Sequence, residues 1–230
     1  MIQPTNFQRL AAGIAIGAFL IVGGCKGNQS DSLSTSSPLT PKATSVSTLP
    51  DGWKETKTSG IAIAFPGDWK TLDFTVGDLD KAMDSTFGTD PNKAGLVDSI
   101  KQMAKAGVYK LFVLAPKNTP ANFRPNANVV MLDSPTDTSL DDQLKLNMDQ
   151  MKQLTAPGAT LKSSYVDIPS GKVARIDTVI SSPQNPQITD ICYIAVKGKR
   201  SVFVSFSTTP ESADEMNKVA EQSIKTFKFD

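Results

Sequence analysis

The chain has 230 residues, with 24 Lys or Arg against 23 Asp or Glu and a formal charge of +1. So even a balance provides no field to gather nucleic acid or another polyanion. Histidine is absent and cysteine occurs twice, at Cys25 and Cys192. Ser-His-Asp and Cys-His catalysis and any His-ligated metal are thereby excluded.

In chain order, Arg9 precedes a 13-residue apolar run, Leu10 to Val22, that ends at Gly23-Gly24-Cys25. A spanning helix needs about 20 apolar residues, so the run reads as a secretory signal. Val22-Gly23-Gly24-Cys25 resembles the lipobox of bacterial lipoproteins. The resemblance implies that residues 1–24 are removed and that Cys25 becomes an acylated first residue. The protein would then be held by lipid to an extracytoplasmic membrane face, inner or outer. Lys26 stands where an Asp would hint at inner-membrane retention. Removal of the signal takes away only Arg9, leaving 23 basic and 23 acidic side chains.

Residues 25–50 are expected to form a tether. From Lys26 to Pro50 the chain is mostly Ser, Thr, Pro, Gly and Asn with little to bury, too little to offset its ordering entropy. A flexible coil of that length spans on the order of 25–30 Å. Residues 51–230 provide 180 positions, enough for one domain with a sizeable core.

Two short strands open the domain, Trp53 to Thr58 and Ile61 to Phe65, across a Ser59-Gly60 hairpin turn. A Pro66-Gly67 turn sets Trp69 at the head of a third strand through Phe74. Two helices are predicted next. One runs from about Asp78 to Phe87; the other starts at Asp90-Pro91, carries Leu96, Ile100, Met103 and Ala104 on one face, and ends at Gly107. Strands follow from Val108 to Ala115 and from Ala127 to Leu132, joined by a polar loop from Pro116 to Pro125. Ser139 with Asp142 makes a capping box for a helix whose stripe is Leu140, Leu144, Met148, Met151 and Leu154.

The remainder reads as four antiparallel strands and a helix. The strands run from Thr160 to Ile168, Lys172 to Ile180, Ile188 to Val196 and Arg200 to Ser207. Their turns are Pro169-Ser170-Gly171, a proline-rich loop from Ser181 to Pro186, and Lys197-Gly198. Thr209-Pro210 starts the last helix, with Ala213, Met216, Val219, Ala220, Ser223 and Phe227 on one face. Strands joined by short turns and interrupted by helical blocks indicate an α+β domain with helices packed on an antiparallel sheet.

The order of these segments is similar to the Mog/PsbP-like superfamily. The matching pieces are Gly60-Ile-Ala-Ile-Ala-Phe-Pro66 with Gly67-Asp68-Trp69, then Phe123-Arg-Pro-Asn-Ala-Asn-Val-Val130 and Gly171-Lys-Val-Ala-Arg175. Val202-Phe-Val-Ser-Phe-Ser-Thr-Thr-Pro210 and Ser223-Ile-Lys-Thr-Phe227 complete the set. The superfamily includes photosystem II extrinsic subunits and bacterial lipoprotein relatives such as the DcrB-like and LpqN-like groups. The resemblance implies an α-β-α sandwich around a curved, mainly antiparallel sheet, and accessory rather than enzymatic roles. Photosystem members carry metal-associated His residues, which this chain lacks, so a manganese role does not carry over.

Several residues invite chemical readings. Asp73, Asp78, Asp80 and Asp84 are dense in carboxylates but lack the bent, Gly-bearing loop of a calcium site, and a solvated helix start is preferred. Met83, Met103, Met148, Met151 and Met216 fall on apolar stripes, where Met fills gaps rather than binding copper. Lys197, Lys199 and Arg200 with Lys172 and Arg175 compose a basic group that can touch anionic headgroups or be plain surface charge. Cys192, alone once Cys25 is acylated, is expected to be a buried packing thiol. Phe123 and Arg124, an aromatic–Arg pair in a loop, are the candidate partner contacts.

No nucleophile elbow, metalloprotease motif, dinucleotide fingerprint or phosphate loop is present. The expectation is a non-catalytic lipoprotein without cofactor or metal. It meets the membrane through Cys25 and binds an envelope protein, with a small-molecule or lipid carrier as the alternative.

Overall fold

The computed structural model describes residues 49–73, 104–116, 124–154, 160–182 and 185–230. The signal segment, Cys25, the tether, Asp78, Asp80, Asp84, Met83, Met103 and Phe123 lie outside the described residues. So does the first predicted helix, with most of the second.

β1 (Trp53–Thr58) and β2 (Ile61–Pro66) pair antiparallel from Trp53 opposite Pro66 to Thr58 opposite Ile61. Ser59 and Gly60 both have positive φ, 50° and 84°. That is the left-handed pair a tight hairpin needs to match strand twist. β3 (Lys70–Asp73), β4 (Tyr109–Leu114) and β5 (Asn126–Asp133) follow. Just before β4, Gly107 at φ 69° donates its N–H to the Ala104 carbonyl, the helix-ending glycine expected there.

α1 (Leu140–Leu154) begins as the sequence predicts: the Asp142 N–H donates to Ser139 Oγ at 3.0 Å. The Asp142 carboxylate, one methylene shorter than Glu, accepts from that same hydroxyl at 2.6 Å. β6 (Thr160–Ile168), β7 (Gly171–Ser182), β8 (Asn185–Lys197) and β9 (Arg200–Thr208) form a meander. A 3₁₀ turn over Pro210–Ser212 leads into α2 (Ala213–Thr226), and β10 (Lys228–Phe229) follows.

The strands make two sheets. One has the order β1-β2-β10; the other has seven strands in the order β3-β4-β5-β9-β8-β7-β6. Among the described residues every pairing is antiparallel, and the domain is α+β as expected.

Side chains alternate across the large sheet, so its two faces make two cores. Leu111, Val129, Tyr193, Val204 and Phe206 point to one side and pack with Met216, Ala220 and Ile224 of α2 and with Ile61, Ile63 and Phe65 of β2. Phe112, Val130, Ile194, Ala174 and Phe203 point to the other and meet Leu144 and Met151 of α1. Each large side chain so buried contributes about 1.5–3 kcal/mol. The two helices therefore cover opposite faces of one sheet.

Candidate functional site

One end of the large sheet opens into a cleft of about 480 Å³. There β4 runs out to Ala115 and Pro116, β5 begins after Pro125, β9 ends at Thr208, and the first turn of α2 arrives. Pro66, Trp69, Pro116, Pro125 and Met216 supply apolar lining, while the exposed carboxylates of Asp68 and Glu215 stand among them.

Trp69 is placed by a backbone contact between two glycines. The Gly67 N–H donates to the Gly52 carbonyl at 2.8 Å, and the Trp69 N–H to the Pro66 carbonyl at 3.1 Å. A Cβ on residue 67 would stand 2.4 Å from the Gly52 oxygen, so only glycine lets the strands approach this closely.

The loop carrying the predicted contact pair borders the cleft through its flanking prolines. Its base is closed twice: the Ala115 N–H donates to the Pro125 carbonyl at 3.0 Å, and Arg124 Nε donates to the Ala115 carbonyl at 2.5 Å. Burial lowers the Arg124 pKa from its usual value, without bringing a guanidinium near neutrality at physiological pH. Arg124 thus ties the loop's two ends together, with Phe123 next to it in the chain.

The basic group does not stand free as a headgroup patch. Arg200 Nε lies 2.8 Å from an Asp133 oxygen, and Lys197 stands 5.5 Å over the Phe229 ring. Lys172 stands 5.5 Å over Tyr165. Arg175, only 16% exposed, bonds Asp177 at 2.7 Å, Asn217 at 2.6 Å and Glu221 at 3.3 Å, tying β7 to α2. Four of the five cations therefore have partners within the domain.

Cys192 is buried, and burial pushes its thiol up to about 12, so it stays protonated at neutral pH. Met151 and Met216 are buried and Met148 packs on the α1 core, the gap-filling role expected. Among the described residues no group of three or more Asp, Glu, Cys or His is placed to hold a metal ion. No described helix is long and apolar enough to cross a membrane.

A second feature has no counterpart in the sequence reading. On the α1 side of the sheet, Asn126, Asn128, Ser205, Ser207 and Asp190 are each at most 3% exposed. Burial pushes the Asp190 carboxyl up to about 6, opposed by the Ser207 hydrogen bond and reinforced by Asp177.

No family model matches the chain, and no curated protein matches it. Among solved structures it is similar to cyanobacterial PsbP (CyanoP) from Synechocystis sp., with 12% identity and a TM-score of 0.50. That match covers 82% of this chain and 98% of the other. LpqN of Mycobacterium tuberculosis, involved in cell envelope biogenesis, gives 10% identity and a TM-score of 0.47 over 77% and 84% of the two chains. A Pseudomonas aeruginosa protein, PA94, gives 15% and 0.43 over 50% and 78%. The likeness to CyanoP is one of fold: the chain has a PsbP-like α+β fold.

Proposed function

We propose that the protein is a lipid-anchored accessory module of the bacterial cell envelope. Cys25 carries the anchor, residues 25–50 hold the domain off the membrane, and an α-β-α sandwich of the Mog/PsbP-like type binds another envelope protein without chemistry. The observation that carries this reading is the Trp69 cleft. A large aromatic set among prolines offers area at low entropic loss, and Trp is the side chain most enriched where binding energy concentrates.

Asp68 and Glu215 define the complement: an apolar plug flanked by Lys or Arg. Pro116 and Pro125, which flank the segment carrying Phe123, both line the cleft, and this supports Phe123 as a contact with the same partner.

The test is cross-linked co-purification of the whole protein from its own membranes, with proteins and small molecules both identified by mass spectrometry. One protein should be recovered near stoichiometrically, and Trp69→Ala should weaken its recovery at least about tenfold. Phe123→Ala should weaken it less. A lipid or metabolite recovered without a protein would overturn the reading in favour of a carrier.

A further inference from the structure

The buried polar row is built with a register that brings its members together. Asn126 on β5 stands opposite Ser207 on β9, and Ser207 opposite Asp190 on β8. One step along, Asn128 faces Ser205, and Ser205 faces Cys192. Neighbouring strands lie about 4.8 Å apart and alternate residues about 6.8 Å apart. The five polar side chains therefore share one patch of roughly 10 by 7 Å on one face of the sheet.

What distinguishes this patch is the kind of atom left without a partner. Asn126 Oδ1, Asn128 Oδ1, Asp190 Oδ2 and Ser205 Oγ are buried and make no hydrogen bond. The orientation of Asn126 is fixed, because its Nδ2 donates to the Arg124 carbonyl at 3.1 Å. The other Asp190 oxygen accepts from Ser207 Oγ at 2.5 Å. Three of the four unmet atoms are acceptors only, and the fourth is a hydroxyl.

A buried acceptor without a donor costs about 1–3 kcal/mol, and an uncompensated charge costs more. The side chains that interact with Asp190 are Ser207, Asp177, Tyr109 and Cys192, none of them cationic. Carboxylate, amide carbonyl and hydroxyl oxygens around one negative charge are the donor set of a hard cation.

We propose that the row binds a single dehydrated monovalent cation of the sodium type, held by Asp190 with the carbonyl oxygens of Asn126 and Asn128 and the Ser205 hydroxyl. The charge selects the valence: one carboxylate neutralises one positive charge, whereas a divalent ion would leave a net charge in the interior. The donor atoms select hardness, since the neighbouring sulfur, Cys192, directs its thiol to the Tyr193 carbonyl. The site is separate from the Trp69 cleft and stands or falls independently of it.

The experiment is thermal unfolding of the whole chain at neutral pH in sodium, potassium or tetramethylammonium chloride at equal ionic strength. A ligand that binds only the folded state raises the midpoint with the logarithm of its concentration. For a domain of this size the rise is about 3–5 °C per tenfold of sodium above the dissociation constant. Tetramethylammonium, too large to enter, should give none.

Asp190→Asn should abolish the sodium response, and Asn128→Ala should weaken it if the first variant does not fold. Asn128→Asp adds a second carboxylate and should turn the response from sodium towards calcium. Equal midpoints in all three salts would overturn the proposal and leave the row to water or to a proton on Asp190. A sodium response unchanged in Asp190→Asn would overturn it as well, by placing the ion elsewhere.

Discussion

The two faces of the seven-stranded sheet are made by the same strands, residue by alternate residue, and they handle burial in opposite ways. Towards α2 the inward side chains of β4, β5, β8 and β9 are nearly all apolar, down to Leu111, Val129, Tyr193 and Phe206. Towards α1, apolar residues such as Phe112, Ile194 and Phe203 share the surface with Asn126, Asn128, Ser205, Ser207 and Asp190. One face maximises the transfer of apolar area from water. The other carries buried acceptors that weaken the fold unless something answers them. Such a contrast within one sheet marks the polar side as the one shaped by more than stability.

The comparison breaks most directly at Phe206. Its ring meets Tyr193 edge-on at 6.3 Å and Phe65 at 6.2 Å, and it has no exposure. Phe206→Ala should cost about 3–5 kcal/mol in denaturant unfolding. An effect below 1 kcal/mol would mean that the α2 face does not contribute the stability its burial implies.

The polar face is sharpened by pH. The folded Asp190 pKa is raised to about 6, above the usual 3.8 of an exposed Asp. A raised carboxyl stabilises the fold in its protonated form, and that stability is lost as pH rises from about 4 through 6. In sodium-free tetramethylammonium buffer, unfolding free energy should therefore increase by about 2–3 kcal/mol between pH 7 and pH 4. Asp177 on β7 faces this group electrostatically and works in the same direction. Tyr109 and Cys192 are both raised by burial and stay neutral throughout. Glu55, Asp133 and Asp149 are held below their usual values by bonds to Lys228, Arg200 and Lys145, so they act in the opposite direction and only at the acid end of the window. Asp190→Asn should flatten the profile; a flat profile in the unmutated chain would refute the assignment.

The smallest effect concerns the helix that covers the polar face. Ser139→Ala removes the acceptor of the Asp142 N–H and should cost about 1 kcal/mol. Hydrogen exchange should quicken in α1 and leave α2 unchanged.

Much of the architecture was legible because its punctuation is chemical. The meander from Thr160 to Thr208 agrees with expectation within two residues, except that β8 begins three residues earlier, at Asn185. Its turns fall where Gly171 and Gly198 adopt φ of 133° and 59°. The α1 stripe and its Ser139 cap follow from spacing alone. The last helix ends at Thr226, one residue before the predicted Phe227, which turns extended at ψ 135°. β10, two residues long, is too short to leave a periodic signal.

The sites were harder to read for physical reasons. The cleft joins Trp69, Pro125 and Met216, which no local pattern links. Asn126, Asn128 and Asp190 alternate with apolar neighbours as solvent-facing residues do, and alternation cannot report that a further layer covers that face.

The position of β2 bears on how the protein is made. It is held between β1 and β10, Asp230 donates its N–H to the Gly60 carbonyl, and the Ala64 N–H reaches Thr226, 162 positions downstream. A polypeptide delivered end to end, from a ribosome or through a translocation pore, leaves this strand with a bare edge until Lys228 and Phe229 emerge. Completion of the domain is therefore gated by arrival of residues 226–230. A chain truncated before Lys228 would present that bare edge permanently, an invitation to pair with its neighbours.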